Sequence, residues 1–220
     1  MGFFQATHRV SYSGPAAAGT VVMIHGLFMG SFMMRTVAAY FRARGWRVVL
    51  YDYPTMRKNI PAHGSDLAEF LDSPLFDDVP RIDFVTHSMG GLLLRCAVAQ
   101  LTAGRRKQLG RAVMIAPPNR GSDVAALAVK LVPGAEHVVA PIRDLSSAAA
   151  SFANTFPVPD GMPETGIIAA SHDRRVRLEY TCLADCPRIV LPGGHNKVLF
   201  RPETAEQTFR FISTGSFSAE

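Results

Sequence analysis

Six short apolar runs alternate with longer helix-forming segments along this 220-residue chain, and few folds accommodate that order. Runs of four to six nearly continuous apolar residues are typical of strands buried on both faces of a parallel sheet. The segments between them supply right-handed crossovers. The pattern predicts one α/β domain over residues 1–220, with a doubly wound, mostly parallel sheet and helices on both faces. The predicted strands are Thr20–Ile24, Arg47–Tyr51, Arg81–Thr86, Arg111–Ile115, Gly166–Ala170 and Arg188–Leu191.

Helical character fills most of the intervening sequence. The predicted helices are Phe32–Arg44, about Ala62–Leu71, Met89–Ala103 and about Pro202–Ile212. One segment, residues 117–164, is longer than the others and rich in Ala, Pro and small residues, with further helices expected near Ser122–Leu131 and Leu145–Asn154. An insertion at this edge of a sheet forms either a small cap or lid over a site, or a connector that packs on the edge. The sequence leaves both interpretations open.

Charge and hydropathy exclude some classes of function. The chain has 23 basic and 18 acidic residues, but the basic residues occur in short groups rather than on one concentrated face. This spacing argues against a nucleic-acid-binding protein, which needs such a face. No apolar run approaches the ~18 residues of a membrane helix, so no stable membrane insertion is expected.

The cysteines and the first residues indicate a reducing compartment. Cys96 lies in an apolar helical stretch and is expected to be buried, and Cys182 and Cys186 are predicted to be reduced thiols. Cysteine and histidine spacing matches no metal site, so neither a metal nor another cofactor is expected. The N-terminal sequence lacks the apolar core of a signal peptide, and Ala6 breaks the myristoylation pattern. The prediction is a cytoplasmic protein.

The strongest chemical signal is a serine between a predicted strand and a predicted helix. The strand ending at Thr86 runs directly into His87-Ser88-Met89-Gly90-Gly91. A strand-to-helix turn that raises a side chain above the sheet needs small residues around its tip, and Gly90 and Gly91 meet that need. The pattern matches the nucleophile elbow G-x-S-x-G, with Thr86 in place of the first glycine.

A second loop predicts donors for a developing negative charge. The strand Thr20–Ile24 ends in His25-Gly26-Leu27. Acyl transfer needs two preset N–H groups at the carbonyl oxygen, and the amides of Leu27 and Met89 are the candidates. His25 is expected to anchor its loop through hydrogen bonds, as is Asp52 after the next strand.

A general base is expected at the carboxyl edge of the sheet. His195 follows the last predicted strand on a loop loosened by Gly193 and Gly194, from which its side chain can reach Ser88. His172 is the alternative base.

An acid must orient that base. Asp173 follows the preceding strand and is the best-placed acid, and its neighbours Arg174 and Arg175 are expected to favour its charged form. The less well placed acids are Asp144, Asp160 and Asp185.

These residues resemble a known superfamily. The order Ser88, Asp173, His195, with VVMIHGLF upstream and THSMGG at the elbow, is similar to the α/β-hydrolases, most of all to small bacterial lipase- and esterase-like members. The resemblance covers about residues 20–212 and includes the stretch APPNRGS at 116–122. It implies that Ser88 is the nucleophile, His195 the general base and acid, and Asp173 the orienting acid.

The resemblance and the residues near the second loop together suggest a substrate. Phe28 and Met29 follow the oxyanion loop and, with Asn119, are the candidates for a substrate pocket that suits an apolar acyl chain. We therefore expect a serine hydrolase of carboxylic esters, with a small-molecule ester as its partner. A thioesterase, an amidase, or a binding or signalling module with little turnover are the alternatives, since this fold hosts many activities.

Overall fold

The structure, a computed structural model, describes residues 7–11 and 18–218. Within these residues, seven strands form one sheet in the order β1-β3-β2-β4-β5-β6-β7. The strands are β1 (Thr7–Ser11), β2 (Thr20–Ile24), β3 (Arg47–Asp52), β4 (Ile82–His87), β5 (Leu109–Ile115), β6 (Glu164–Ala170) and β7 (Arg188–Leu191).

Helices connect the strands on both sides of the sheet. The α-helices are α1 (Arg35–Arg42), α2 (Ile60–Leu71), α3 (Met89–Gln100), α4 (Ala103–Arg106), α5 (Asp123–Leu131), α6 (Ala135–Val138), α7 (Phe152–Thr155) and α8 (Pro202–Thr214). The 3-10 helices are Ser31–Met34, Pro74–Phe76, Ala140–Ile142, Leu178–Thr181 and Lys197–Phe200.

The predicted doubly wound, mostly parallel sheet is confirmed. Strands β2 to β7 are parallel, and β1 adds an antiparallel edge by pairing with β3 from Thr7 opposite Asp52 to Ser11 opposite Val48. The sequence analysis missed β1 because its residues, THRVS, form no apolar run. An edge strand needs only one hydrogen-bonded neighbour, so it carries no such signature.

Two hydrophobic cores lie on opposite faces of the sheet. Along β2, Val22 and Ile24 face the core that contains α2 and α3, while Val21 and Met23 face the core that contains α1 and α8. All four side chains are fully buried. Burial of each such side chain contributes roughly 1.5–3 kcal/mol, so these runs can only be interior strands.

Several helix boundaries differ from the predictions, and two of these differences have a clear local cause. The helix expected at Phe32–Arg44 begins as a 3-10 turn and becomes α1 only at Arg35. The helix that follows the elbow ends at Gln100 rather than Ala103, because the Thr102 hydroxyl accepts a hydrogen bond from the Arg105 amide at 3.2 Å and starts α4. A threonine in this position competes with helix continuation.

The helix predicted at Leu145–Asn154 is wrong, since only its end is helical, in α7 (Phe152–Thr155). Main-chain groups at the start of that range bind another segment. The Ser122 amide donates to the Leu145 carbonyl at 2.8 Å, and the Ser147 amide donates to the Ser122 carbonyl at 3.2 Å. Because these groups pair with Ser122, they cannot form helical hydrogen bonds.

Cys96 is buried, and none of the three cysteines forms a disulfide. Within residues 7–11 and 18–218, no helix combines the length and the apolar character that crossing a membrane requires.

Candidate active site

The elbow after β4 holds Ser88 in a strained conformation. Ser88 has φ 52° and ψ −124°, between the end of β4 and the start of α3 at Met89. A non-glycine residue in this region costs on the order of 1–3 kcal/mol, and surrounding contacts must hold it there. One such contact is the Ser88 amide, which donates to the Ile115 carbonyl of β5 at 2.9 Å. The turn places the side chain at the carboxyl edge of the sheet.

Glycines allow the elbow and the loop after β2 to approach each other closely. A Cβ atom on Gly90 would lie 2.7 Å from the carbonyl oxygen of Ile24 and 2.9 Å from that of His25. A Cβ atom on Gly26 would lie 2.9 Å from Ser88 Cβ. The absence of side chains at these two positions therefore sets the spacing between the two loops.

Thr86 occupies the place of the usual first glycine of the elbow. It is fully buried at the end of β4. A Cβ atom on Gly91 would approach Thr86 Oγ1 at 3.4 Å and Met114 Sδ at 3.2 Å. Gly91 thus leaves the space that the larger residue takes up, and the elbow forms despite the departure from the pattern.

The structure brings three of the predicted site residues into one hydrogen-bonded chain. His195 Nε2 lies 2.9 Å from Ser88 Oγ, and His195 Nδ1 lies 2.6 Å from Asp173 Oδ2. Asp173 Oδ1 accepts from the amides of Arg175 at 2.8 Å and Val176 at 3.0 Å. With Asp173 ionised, Nδ1 carries the proton and the Nε2 lone pair faces the serine hydroxyl.

The environment of Asp173 favours its ionised form. Its side chain is only 3% exposed. Burial would raise the pKa of Asp173, but the hydrogen bond and charge of His195 and the amides of Val176 and Arg175 lower it overall. Arg174 and Arg175 were expected to act through their charges. The contact that this pair makes with Asp173 is instead the Arg175 main-chain amide.

His87 supports the position of His195, a role that the sequence analysis did not assign. Its buried ring binds the carbonyl oxygen of His195 through Nε2 at 3.0 Å. Burial lowers the pKa of His87 to about 3, so the ring is neutral and Nε2–H donates. The only signal in the sequence is the place of His87 next to Ser88, which does not reveal a partner more than a hundred residues away.

Two main-chain amides are available for an oxyanion. Among the described residues, neither the Leu27 nor the Met89 amide donates to another group of the chain. Met89 also begins α3, where helix N–H groups are unpaired and the helix dipole is positive. Phe28, with φ 59°, is held by its amide, which donates to Thr55 Oγ1 at 3.2 Å. This contact fixes the turn that presents the Leu27 amide.

His25 and Asp52 anchor the loop after β2. The Tyr53 hydroxyl donates to the His25 carbonyl at 2.8 Å, and the two rings stack with centroids 4.6 Å apart. Asp52 accepts from the amide and hydroxyl of Ser31, both at 2.6 Å. Burial would raise the pKa of Asp52, but the His25 ring, with Nε2 3.4 Å from Oδ1, and the hydrogen bonds from Ser31 lower it to about 2. Both side chains therefore hold the loop rather than reach Ser88.

A cavity of about 300 Å³ opens beside Ser88 and His195. Most of its wall is apolar, and residues of the segment 117–164 form one side. The apolar lining residues are Leu27, Phe28, Met29, Pro118, Val124, Ala125, Ile142, Leu145 and Val176. Phe28 and Met29 thus lie where the sequence analysis placed them.

The prediction for Asn119 needs correction. Asn119 does not line this cavity. Its side chain is 3% exposed, and Nδ2 donates to the Thr181 carbonyl at 2.9 Å. The residue therefore joins the loop after β5 to the 3-10 helix before β7, and it has a structural role.

The alternative base and acids lie elsewhere. His172 is exposed, and its Nδ1 contacts Ser171 Oγ at 2.7 Å. Asp144 accepts from the Ile60 amide at 2.7 Å. Neither Asp160 nor Asp185 hydrogen-bonds a histidine within the described residues. In the same part of the chain, no group of three or more His, Cys, Asp or Glu side chains is arranged to hold a metal ion.

A comparison with protein families gives one match. The model of a domain of unknown function, DUF7379, matches residues 4–132, more than half of the chain. A comparison with curated proteins finds no significant match.

Solved structures resemble this chain over nearly its whole length. A lipase from Bacillus licheniformis in its mature form has a TM-score of 0.73 at 16% identity, covering 94% of this chain and 97% of the lipase. An enol-lactonase from Burkholderia xenovorans has a TM-score of 0.63 at 16% identity, covering 94% and 96%. An esterase from Thermogutta terrifontis has a TM-score of 0.62 at 16% identity, covering 97% and 94%. At this identity the similarity concerns the fold.

Proposed function

The chain belongs to the DUF7379 family and has the α/β-hydrolase fold, and from this premise we propose that it is a serine hydrolase that cleaves carboxylic esters with an apolar acyl part. The observation that carries the proposal is the position of His195 between Ser88 Oγ and Asp173 Oδ2, at 2.9 and 2.6 Å. A helix cap or a solvated loop has no need of such a proton path. The chain's fold similarity to a lipase, an esterase and an enol-lactonase supports a hydrolase.

In the first half-reaction, Ser88 Oγ attacks the ester carbonyl while His195 Nε2 takes its proton. Asp173 stabilises the imidazolium that forms. The carbonyl oxygen becomes negative and accepts from the amides of Leu27 and Met89. Loss of one such donor typically costs about 2.7–4 kcal/mol of transition-state stabilisation. His195 then returns the proton to the leaving alcohol, and an acyl-enzyme remains.

In the second half-reaction, His195 removes a proton from water, which attacks the acyl-enzyme carbonyl. The same two amides receive the oxyanion. Collapse of this intermediate breaks the bond to Ser88 Oγ, and the proton held by His195 passes to that oxygen. The acid product leaves and the free enzyme is restored, with no co-reactant other than water.

The cavity supports an ester with a short or medium acyl chain. Its wall is mostly apolar, and about 300 Å³ is at the small end of ligand pockets. We expect higher kcat/KM on soluble esters than on emulsified long-chain triglycerides. A thioester would bind in the same position, so thioesterase activity is the second candidate on this triad.

Labelling with a fluorophosphonate tests the nucleophile. The reagent should attach to Ser88, as located by mass spectrometry of tryptic peptides. Ser88→Ala should prevent labelling and lower kcat on 4-nitrophenyl butyrate by at least about 10⁴-fold. An unlabelled wild-type protein with no hydrolysis would favour the binding or signalling alternative.

One control variant makes the labelling result specific, and a pair of substrates then distinguishes an esterase from a thioesterase. Ser171→Ala removes an exposed serine that follows β6 at the same carboxyl edge of the sheet, and should preserve labelling. Paired oxygen and sulfur esters with the same butyryl group decide between esterase and thioesterase. A kcat/KM much higher for the sulfur ester would replace the ester by a thioester in the proposal.

A further inference from the structure

The charges around the cavity are unbalanced. Apart from His195, Arg175 is the only lining residue with an ionisable side chain, and no carboxylate lines the wall within the described residues. Asp173 lies behind His195 and is hydrogen-bonded on both oxygens. A guanidinium stays charged at every working pH, so a residue with a permanent positive charge lines a mostly apolar cavity.

Arg175 differs from its neighbour Arg177 in its partners. Arg177 Nε lies 2.5 Å from Asp123 Oδ2, and its NH1 lies 3.9 Å from Glu179 Oε1. Among the described residues, no acidic side chain lies within ion-pair distance of the Arg175 guanidinium. The Arg175 guanidinium is therefore available to bind an anion.

The main chain holds Arg175 at the cavity from both sides. Its amide donates to Asp173 Oδ1 at 2.8 Å, and its carbonyl accepts from Ser122 Oγ at 2.6 Å. The next residue, Val176, is 2% exposed and also lines the cavity. This backbone cannot move without disturbing Asp173 or the start of α5, so the Arg175 side chain always extends from the cavity wall.

We propose that the ester bound at this site carries an anionic group, a carboxylate or a phosphate, that pairs with Arg175 while an apolar part contacts the wall. This inference rests on the proposed function and narrows its substrate class to amphipathic esters with one negative end. A charged acceptor shortens and strengthens hydrogen bonds from a guanidinium. With a neutral ester of the same length, the Arg175 guanidinium would interact only with water.

Binding to the inactive Ser88→Ala variant tests the proposal without turnover. The ligands are monomethyl suberate, which has one carboxylate, and dimethyl suberate, its neutral counterpart. Titration followed by NMR chemical shifts at low salt should give a dissociation constant about fivefold lower for the monoanion. The ratio should shrink as salt is added, because the guanidinium is exposed. Equal affinity for the two ligands at low salt would overturn the proposal.

Substitutions assign the effect to one side chain. In the Ser88→Ala background, Arg175→Gln should bring the affinity ratio close to one, and Arg175→Lys should restore part of it. Arg174→Gln is the matched control, because Arg174 is adjacent and exposed but does not line the cavity. A preference for the monoanion that survives Arg175→Gln, or that Arg174→Gln removes equally, would also overturn the assignment.

A second ligand pair identifies the anion. Octyl phosphate and dimethyl octyl phosphate extend the comparison to phosphate. The preferred anionic group is the one, carboxylate or phosphate, whose ligand shows the larger gain in affinity over its neutral ester. Failure of the proposed function is distinguishable from failure of this inference. Absence of ester hydrolysis and of Ser88 labelling would refute the proposed function. The affinity ratio would still decide whether Arg175 binds an anion.

Discussion

The elbow after β4 and the segment 117–164 meet at one cavity, but different interactions hold them. At the elbow, buried strands and glycines hold the main chain close to the loop after β2, since a Cβ atom on Gly90 would lie within 3 Å of two carbonyl oxygens. The segment consists of short helices and turns, and α5 exposes apolar residues to solvent. Those residues are Val124, Leu127 and Leu131, at 51%, 55% and 65%.

We expect the two regions to have different tasks: the strand ends position the groups of the reaction, and the segment 117–164 determines which ester binds. The groups proposed to react follow strands that the two cores hold in place, so we expect their geometry to tolerate little change. The segment supplies one wall of the cavity through side chains such as Ile142 and Leu145. Changes there should alter which ester binds and leave the proton path intact. The predictions below test this division from the largest expected effect to the smallest.

Asp173→Asn should produce the largest loss among these substitutions. The amide keeps the shape of the side chain but cannot hold the same tautomer of His195, and kcat should fall by up to about 10⁴-fold. Steady-state kinetics on a soluble ester measures the effect. Asp144→Asn, in the segment 117–164, is the matched control and should change kcat less than about threefold, because its side chain only accepts from the Ile60 amide. If Asp144→Asn lowered kcat more than Asp173→Asn, the orienting acid would be Asp144.

Gly90→Ala should reduce kcat by roughly 10²-fold, because the new Cβ atom must push the carbonyls of Ile24 and His25 and displace the Leu27 amide. Most of the loss should be in kcat rather than KM. Gly104→Ala in α4 is the control, since a Cβ atom there meets nothing within 4 Å. If both variants keep full activity, the close approach of the two loops does not position the oxyanion donors.

Acidification should destabilise the elbow through His87. The pKa of His87 is about 3 in the folded protein and about 6.5 in an unfolded chain. Between these values the unfolded state binds the extra proton, so the free energy of unfolding falls as pH drops below 6.5, by up to about 1.4 kcal/mol per pH unit. Above pH 6.5 His87 is neutral in both states and has no effect.

Urea unfolding at several pH values from 4.5 to 7 measures this slope. His87→Gln should flatten it relative to the wild type. His137→Gln removes a histidine from the segment 117–164 and should leave the slope as it is. An unchanged slope in His87→Gln would mean that other groups cause the acid sensitivity.

Leu145→Ala should have the smallest effect on catalysis. Leu145 is 6% exposed and lines the cavity, so its truncation enlarges the pocket and should shift the kcat/KM preference toward longer acyl chains by about threefold to tenfold. A panel of 4-nitrophenyl esters from acetate to decanoate measures the shift. Leu127→Ala, on the exposed face of α5, should leave the chain-length profile unchanged. A loss of kcat on all esters alike would contradict the division between the two regions.

The sequence alone predicted most of the central sheet and the composition of the elbow. Buried parallel strands must be apolar throughout, and a tight strand-to-helix turn needs small residues, so both leave local signatures. The order of strands then indicated that Ser88, Asp173 and His195 would reach the same edge of the sheet. The placement of His195 within 3 Å of both Ser88 Oγ and Asp173 Oδ2 is a finding of the structure.

Other features depended on contacts between distant segments, and only the tertiary structure decided them. Leu145–Asn154 has helix-forming composition, but its main chain pairs with Ser122 instead. Asn119 resembles a pocket residue in sequence, yet it binds the Thr181 carbonyl. The role of His87 depends on the carbonyl of His195, which is distant in the sequence. The role proposed for Arg175 depends on a cavity to which several distant segments contribute. Local patterns encode burial and turns, whereas the partner of a polar group depends on which segments the fold brings together.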